Sequence, residues 1–164
     1  MKSLYRGLAI AAVVIVLDQA SKWWILLSVM QPPRFIEITP FLNIVLTWNR
    51  GVSFGMFNTD SAAGPWILSA IAIAVAIALA VWLSRSTGAL VTVALGLIIG
   101  GAIGNVIDRA VHGAVVDFLD FHWAGYHWPA FNVADSCISV GAAMLVLDSL
   151  FSGGNRKVTM PDSK

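Results

Sequence analysis

From residue 61 to residue 84 the chain carries no charged side chain, and a second charge-free run extends from 86 to 107, ending at Asp108-Arg109. About 20 apolar residues in a helix cross the roughly 30 Å of bilayer hydrocarbon, so either run is long enough to span. Two more apolar segments follow the same scale, 7–30 interrupted by Asp18 and Lys22, and 131–151 containing Asp135 and Asp148. The reading is a membrane all-α bundle of four transmembrane helices, at 8–28, 66–84, 88–108 and 132–151, in a single domain spanning 1–164. Composition supports it: 12% of the 164 residues are charged and the mean hydropathy is +0.80, where a soluble domain carries about 25% charge. Lys2 and Arg6 before an apolar run also fit a secretory signal peptide. The DQASK stretch, however, offers no small-x-small site followed by a soluble domain, so the first segment is read as an uncleaved span.

Charge placement orients the bundle. Four spans put Lys2, Arg6, Arg85, Arg156, Lys157 and Lys164 on one side, against Arg34, Arg50 and Arg109 on the other. The positive-inside rule makes the first side cytoplasmic, with both termini there. Glu37, Asp60, Asp108, Asp117 and Asp120 then fall outside or at the outer boundary. Trp23, Trp24, Trp48, Trp66, Trp123 and Trp128 gather toward the same face, where interfacial tryptophans are expected. The outer segment 30–64 is rich in β-branched and aromatic residues punctuated by Pro and Gly, which predicts two or three short strands forming a small sheet. The outer segment 109–131 is shorter, and its HWAGYHWP stretch is expected to rest on the bilayer surface.

Ionisable groups inside a span are costly and mark function by default. Asp18 and Lys22, four apart, share a helix face and read equally as a structural ion pair or as site residues. Asn105 and Arg109 lie at the outer end of the third span, Asn132 and Asp135 at that of the fourth, Asp117 just beyond the third, and Asn49 in the strand segment. All converge at one depth. A channel or transporter using carboxylates as an ion relay, the main rival reading, would spread them across the membrane. A non-catalytic assembly subunit, a second rival, needs no such set.

The chemistry follows by elimination. No credible serine hydrolase arrangement is read, since the one GxSxG string, Gly51-Val-Ser-Phe-Gly55, falls in the segment read as strands and turns and the histidines stand outside the spans. A net charge of +1 gives no basic footprint for nucleic acid. His112, His122 and His127 are read as standing outside the spans, with spacings that match no standard metal site, so no metal or cofactor is expected. Cys137 is the only cysteine and reads as a small core residue. Carboxylates remain. Asp117 and Asp135, each in an apolar run (VVDF and FNVADSCI), could share one proton, one drawing a proton from water while the other polarises a carbonyl. Gly96, Gly100 and Gly104 repeat every four residues, allowing close approach of a neighbouring helix, the preferred reading, or of a substrate. Gly51 and Gly55 are read as turn residues.

Five ordered blocks carry a resemblance: Asp18-Gln-Ala-Ser-Lys22, Asn49-Arg-Gly-Val-Ser-Phe-Gly55, Gly100-Gly-Ala-Ile-Gly-Asn-Val-Ile-Asp-Arg109, Val115-Val-Asp-Phe118 and Phe131-Asn-Val-Ala-Asp135. Together they resemble the successive motifs of the lipoprotein signal peptidases, also called signal peptidase II, from about Asp18 to Asp148. The resemblance implies a bacterial inner-membrane aspartic endopeptidase with an extracytoplasmic β-cradle and Asp117 and Asp135 as its catalytic dyad. It implies substrate-holding or dyad-orienting roles for Asn49, Asn105, Arg109 and Asn132, and a supporting pair in Asp18 and Lys22. The implied substrate is a diacylglyceryl-modified prolipoprotein, met at the membrane lipid and cleaved just before its lipidated cysteine. Nothing in the sequence demands more than a monomer.

Overall fold

Apolar runs become helices where no other structure can satisfy the backbone in lipid. The computed structural model describes residues 2–51 and 63–152. Helix α1 (Lys2–Trp24) continues into a π-helical turn (Ile25–Val29), and α2 (Gly64–Arg85), α3 (Ala89–His112) and α4 (Val133–Ser152) follow. All four are long and apolar enough to cross a membrane. Two ends differ from the expected spans: α1 begins at Lys2 rather than at 8, and α3 runs to His112 rather than stopping at 108. It closes only at Gly113, whose backbone takes φ +71° and whose N–H donates to the Arg109 carbonyl at 3.0 Å, a glycine stop at the first position past the helix. Arg109 and His112 are therefore the last turn of a helix, which corrects the reading of His112 as standing outside the spans. Gly55, Asp60 and the basic residues Arg156, Lys157 and Lys164 lie outside the described residues.

Helix α3 is the axis. Its most apolar window is 56% buried, against 28%, 17% and 11% for α1, α2 and α4, and it packs on all three. Glycines bring the backbones together. A Cβ built on Gly96 or Gly100 would lie 2.7 Å from the carbonyl oxygen of Gly7 or Ala11 in α1, and one on Gly101 would lie 2.5 Å from that of Ala134 in α4. The glycine repeat thus serves contact between helices of this chain, the preferred of the two sequence readings. Ala11, Leu83, Leu95 and Ile99 form the buried centre between α1, α2 and α3.

The small sheet is four-stranded and antiparallel, in the order β1 (Ile36–Thr39), β2 (Leu42–Asn49), β3 (Val115–Trp123), β4 (Tyr126–His127). Among the described residues, β1 and β2 come from the first outer segment. The longest strand, β3, comes from the 109–131 segment, where the sequence reading placed no strand. Its sequence hides it, because Val115 to Phe118 are all buried and no polar alternation betrays a strand. A two-residue turn at Ala124-Gly125, φ 49° and 84°, folds β3 back on β4 and leaves Trp123, Tyr126 and Trp128 exposed. Ile25, Met30 and Phe118 form a second core between the sheet and the helix ends, with Ile44, Leu46 and Val133 around it.

Candidate active site

Position Asn132 is where the site is assembled. It is the N-cap of α4, and its Oδ1 accepts from the Asp135 N–H at 3.0 Å while the Asp135 carboxylate accepts from the Asn132 N–H at 3.3 Å. This reciprocal pair is a capping box, and it fixes Asp135 in the first turn of α4. The same Asn132 side chain reaches off the helix, donating from Nδ2 to Asp117 Oδ1 at 2.7 Å. One side chain therefore touches both aspartates.

Asp117 sits on β3 opposite Thr47, 1% exposed. Its second oxygen accepts from Asn49 Nδ2 at 3.0 Å. Asn49 is the last residue of β2, and its own Oδ1 accepts from the N–H of Gly51, whose φ of +91° makes the turn that the sequence assigned to it. Burial pushes the Asp117 carboxyl up from 3.8 to about 6; the charge of Asp135 adds to this, and the Asn49 and Asn132 hydrogen bonds oppose it. Asp135 is half-buried, and its other oxygen accepts from Asn105 Nδ2 at 2.8 Å.

Behind the two aspartates lies a buried ionic cluster. Lys22 Nζ is 2.8 Å from Asp18 Oδ2, 2.8 Å from Asp108 Oδ2 and 3.1 Å from Asn105 Oδ1. Gln19 joins it, donating to Asp108 Oδ1 at 2.8 Å and to the Gly104 carbonyl at 3.2 Å. Arg109 lies one turn beyond Asn105, half-buried, beside Gly51 and within Coulombic reach of Asp135, Asp108 and Asp117. Its Nε is buried and has no hydrogen-bond partner among the described residues. A cavity of about 340 Å³ opens beside Asp135, lined also by Trp128, Phe131, Ser136, Ser139 and Val140.

All eight residues singled out in the sequence thus meet at one end of the bundle. Gln19 was missed, though a glutamine inside an apolar span is itself a signal. Asp108 was placed at the right depth but given no task. The histidines lie apart: His127 and Asn43 hold the Asp120 carboxyl at 2.9 Å, farther along β3. Against its burial, those hydrogen bonds keep Asp120 below the usual carboxylate value. His112 packs between Trp23 and Trp48, ring centroids 5.5 and 5.4 Å away.

Four membrane-length helices ending in a buried polar cluster under a small sheet define a multi-pass membrane enzyme. Two solved bacterial membrane enzymes, determined by the in meso method at 2.3 and 1.9 Å, share the fold. The first superposes with a TM-score of 0.79 at 31% identity over 95% of this chain and 94% of that one. The second gives 0.77 at 33% identity over 88% and 92%. The chain belongs to the signal peptidase II family, whose sequence pattern it matches over residues 10–151. The lipoprotein signal peptidase of Methylobacterium sp. (strain 4-46) is 43% identical over 99% of both chains, and that of Nitrobacter hamburgensis is 47% identical over 91% of this chain and 94% of its own. The ion-relay reading finds no support.

Proposed function

We propose that this peptidase is aspartic, with Asp117 and Asp135 as its dyad, and that it removes signal peptides from diacylglyceryl-modified prolipoproteins by cleaving before the lipidated cysteine. The observation that carries the reading is Asn132, whose side chain holds one aspartate by its carboxylate and the other by its backbone N–H. Two carboxyls held by one residue share a proton more readily than each ionises alone. Burial favours that proton on Asp117, while Asp135 stands at a helix N-terminus, where negative charge is favoured. Asp135 then takes a proton from water as the water oxygen bonds to the scissile carbonyl carbon. Asp117 gives its proton to the carbonyl oxygen. As the tetrahedral intermediate collapses, the C–N bond breaks, Asp135 gives its proton to the amine of the departing cysteine, and a hydroxyl of the intermediate returns a proton to Asp117.

Lipoprotein signal peptidase is the name its relatives carry, and the geometry suits such a substrate. A signal helix and acyl chains both anchored in lipid bring the scissile bond to the bilayer surface, the depth at which the aspartates stand. The cavity beside Asp135 gives apolar room next to the reacting carboxylate. The inside-positive charge distribution supports a site and sheet on the extracytoplasmic face, with both termini in the cytoplasm. Asp117→Asn and Asp135→Asn each keep the shape and lose the carboxyl that exchanges a proton with the substrate or water. Both should remain folded in detergent and lose at least ~10²-fold in cleavage of a diacylated prolipoprotein. Near-normal turnover by either would remove the dyad assignment.

A further inference from the structure

The buried ions of α1 and α3 are not isolated from the aspartates. Besides Lys22, each of the two carboxylates accepts from one backbone N–H. Asp18 Oδ1 accepts from the N–H of Ala134 at 3.0 Å, and Asp108 Oδ2 accepts from the N–H of Val116 at 3.0 Å. Ala134 immediately precedes Asp135, and Val116 immediately precedes Asp117. Lys22 lies 2.8 Å from both carboxylates. The three side chains are each no more than 2% exposed.

We infer that Asp18, Lys22 and Asp108 are a two-armed clamp that sets the spacing of the aspartates, each carboxylate holding the residue before one of them while Lys22 ties the arms together. They are positioning residues, since none touches the reacting atoms. Asn132 and the backbone bonds of Phe118 and Leu119 to Phe131 join the strand to the start of α4 from one side. Two charge-assisted hydrogen bonds to backbone, sharing one ammonium, add a tie from α1 and α3 to both. Backbone is also the effective point of attachment, because moving it carries the whole side chain along. The inference rests on the dyad reading, and its test separates the two.

Removing one ion alone strands a buried charge, so the informative variant neutralises all three. In Asp18→Asn/Lys22→Met/Asp108→Asn the amide oxygens can still accept from Ala134 and Val116, but the ionic tie is gone. Gly104→Ala is the uncharged counterpart: its Cβ would lie 2.5 Å from Asp18 Oδ2, pushing one arm while lying 3.6 Å from the Ala134 Cβ. Steady-state kinetics on a diacylated prolipopeptide in detergent, beside Asp117→Asn and Asp135→Asn, read the result. For each folded variant we expect kcat to fall by about 10²-fold, the cost of a misplacement of about 1 Å. KM should stay within about threefold of wild type, because substrate-facing groups are untouched. Gly104→Ala should also move the alkaline limb of the kcat profile, since the repulsion that holds the shared proton depends on the separation of the carboxylates. Wild-type kcat in either folded variant, or a raised KM with kcat unchanged, overturns the clamp. An active Asp117→Asn would instead overturn the dyad, whatever the clamp variants do.

Discussion

At Arg109 a guanidinium is half-buried with its Nε unpartnered among the described residues, and only a long 3.4 Å bond from its Nη1 to the Asn105 carbonyl. A donor left open beside two aspartates is suited to a substrate carbonyl, whereas a helix-end anchor at the headgroups would face outward. Lysine keeps the charge but not the planar fork. Arg109→Lys is therefore expected to lose roughly tenfold to a hundredfold in kcat/KM, the equivalent of one charge-assisted hydrogen bond of roughly 1.5–3 kcal/mol. Wild-type kinetics would leave the anchor reading standing. At Asp117 the consequence is for stability. Its folded value of about 6 exceeds the ordinary 3.8, so its contribution is fully present below pH ~4 and is lost as pH rises through about 6. Asp117→Asn removes that dependence. Thermal unfolding in detergent should show the variant gaining on wild type between pH 4 and 7, by up to roughly 3 kcal/mol, the cost of ionising a carboxyl raised to about 6. Parallel curves would argue against a raised Asp117.

Between elements, the decisive contacts are those in which α3 has no side chain. Gly101→Ala places a methyl 2.5 Å from the Ala134 carbonyl, and backbone cannot yield as a side-chain tip can. It should destabilise by about 1–3 kcal/mol and lower activity, because Asn132 and Asp135 ride on the helix it displaces. Gly64→Ala, with no described atom within 4 Å, is the control and should be nearly silent. This level also marks what the sequence made legible. The helices were readable because lipid admits so few alternatives that charge-free length suffices. The polar residues that gather at the helix ends were readable because a polar group at a span end is costly enough to need a reason. Strand β3 was not readable, since a strand buried at Val115–Phe118 shows the same apolar run as any core segment. Nor was the task of Asp108, because its partner is the backbone of Val116, and a backbone N–H has no identity in a sequence. The register that sets Thr47 opposite Asp117, past the irregularity after Ile44, belongs to the same hidden class.

The whole molecule brings carboxylates, amides and one guanidinium together, and among the described residues no group of three His, Cys, Asp or Glu is arranged to hold a metal. Cleavage is therefore expected to survive exhaustive chelation unchanged; activity abolished by chelator and restored by zinc would refute it. The order in which the site's parts emerge during synthesis has its own consequence. Asp18 in the first helix bonds the backbone of Ala134 in the fourth, 116 residues later, and the Asn132 that joins the two aspartates caps that same last helix. A nascent chain with three helices inserted holds Asp117 but neither its partner nor the residue that positions both. With the proposed dyad, proteolytic competence cannot precede insertion of the fourth helix, so incomplete copies left in a membrane by stalled translation are expected to be inert.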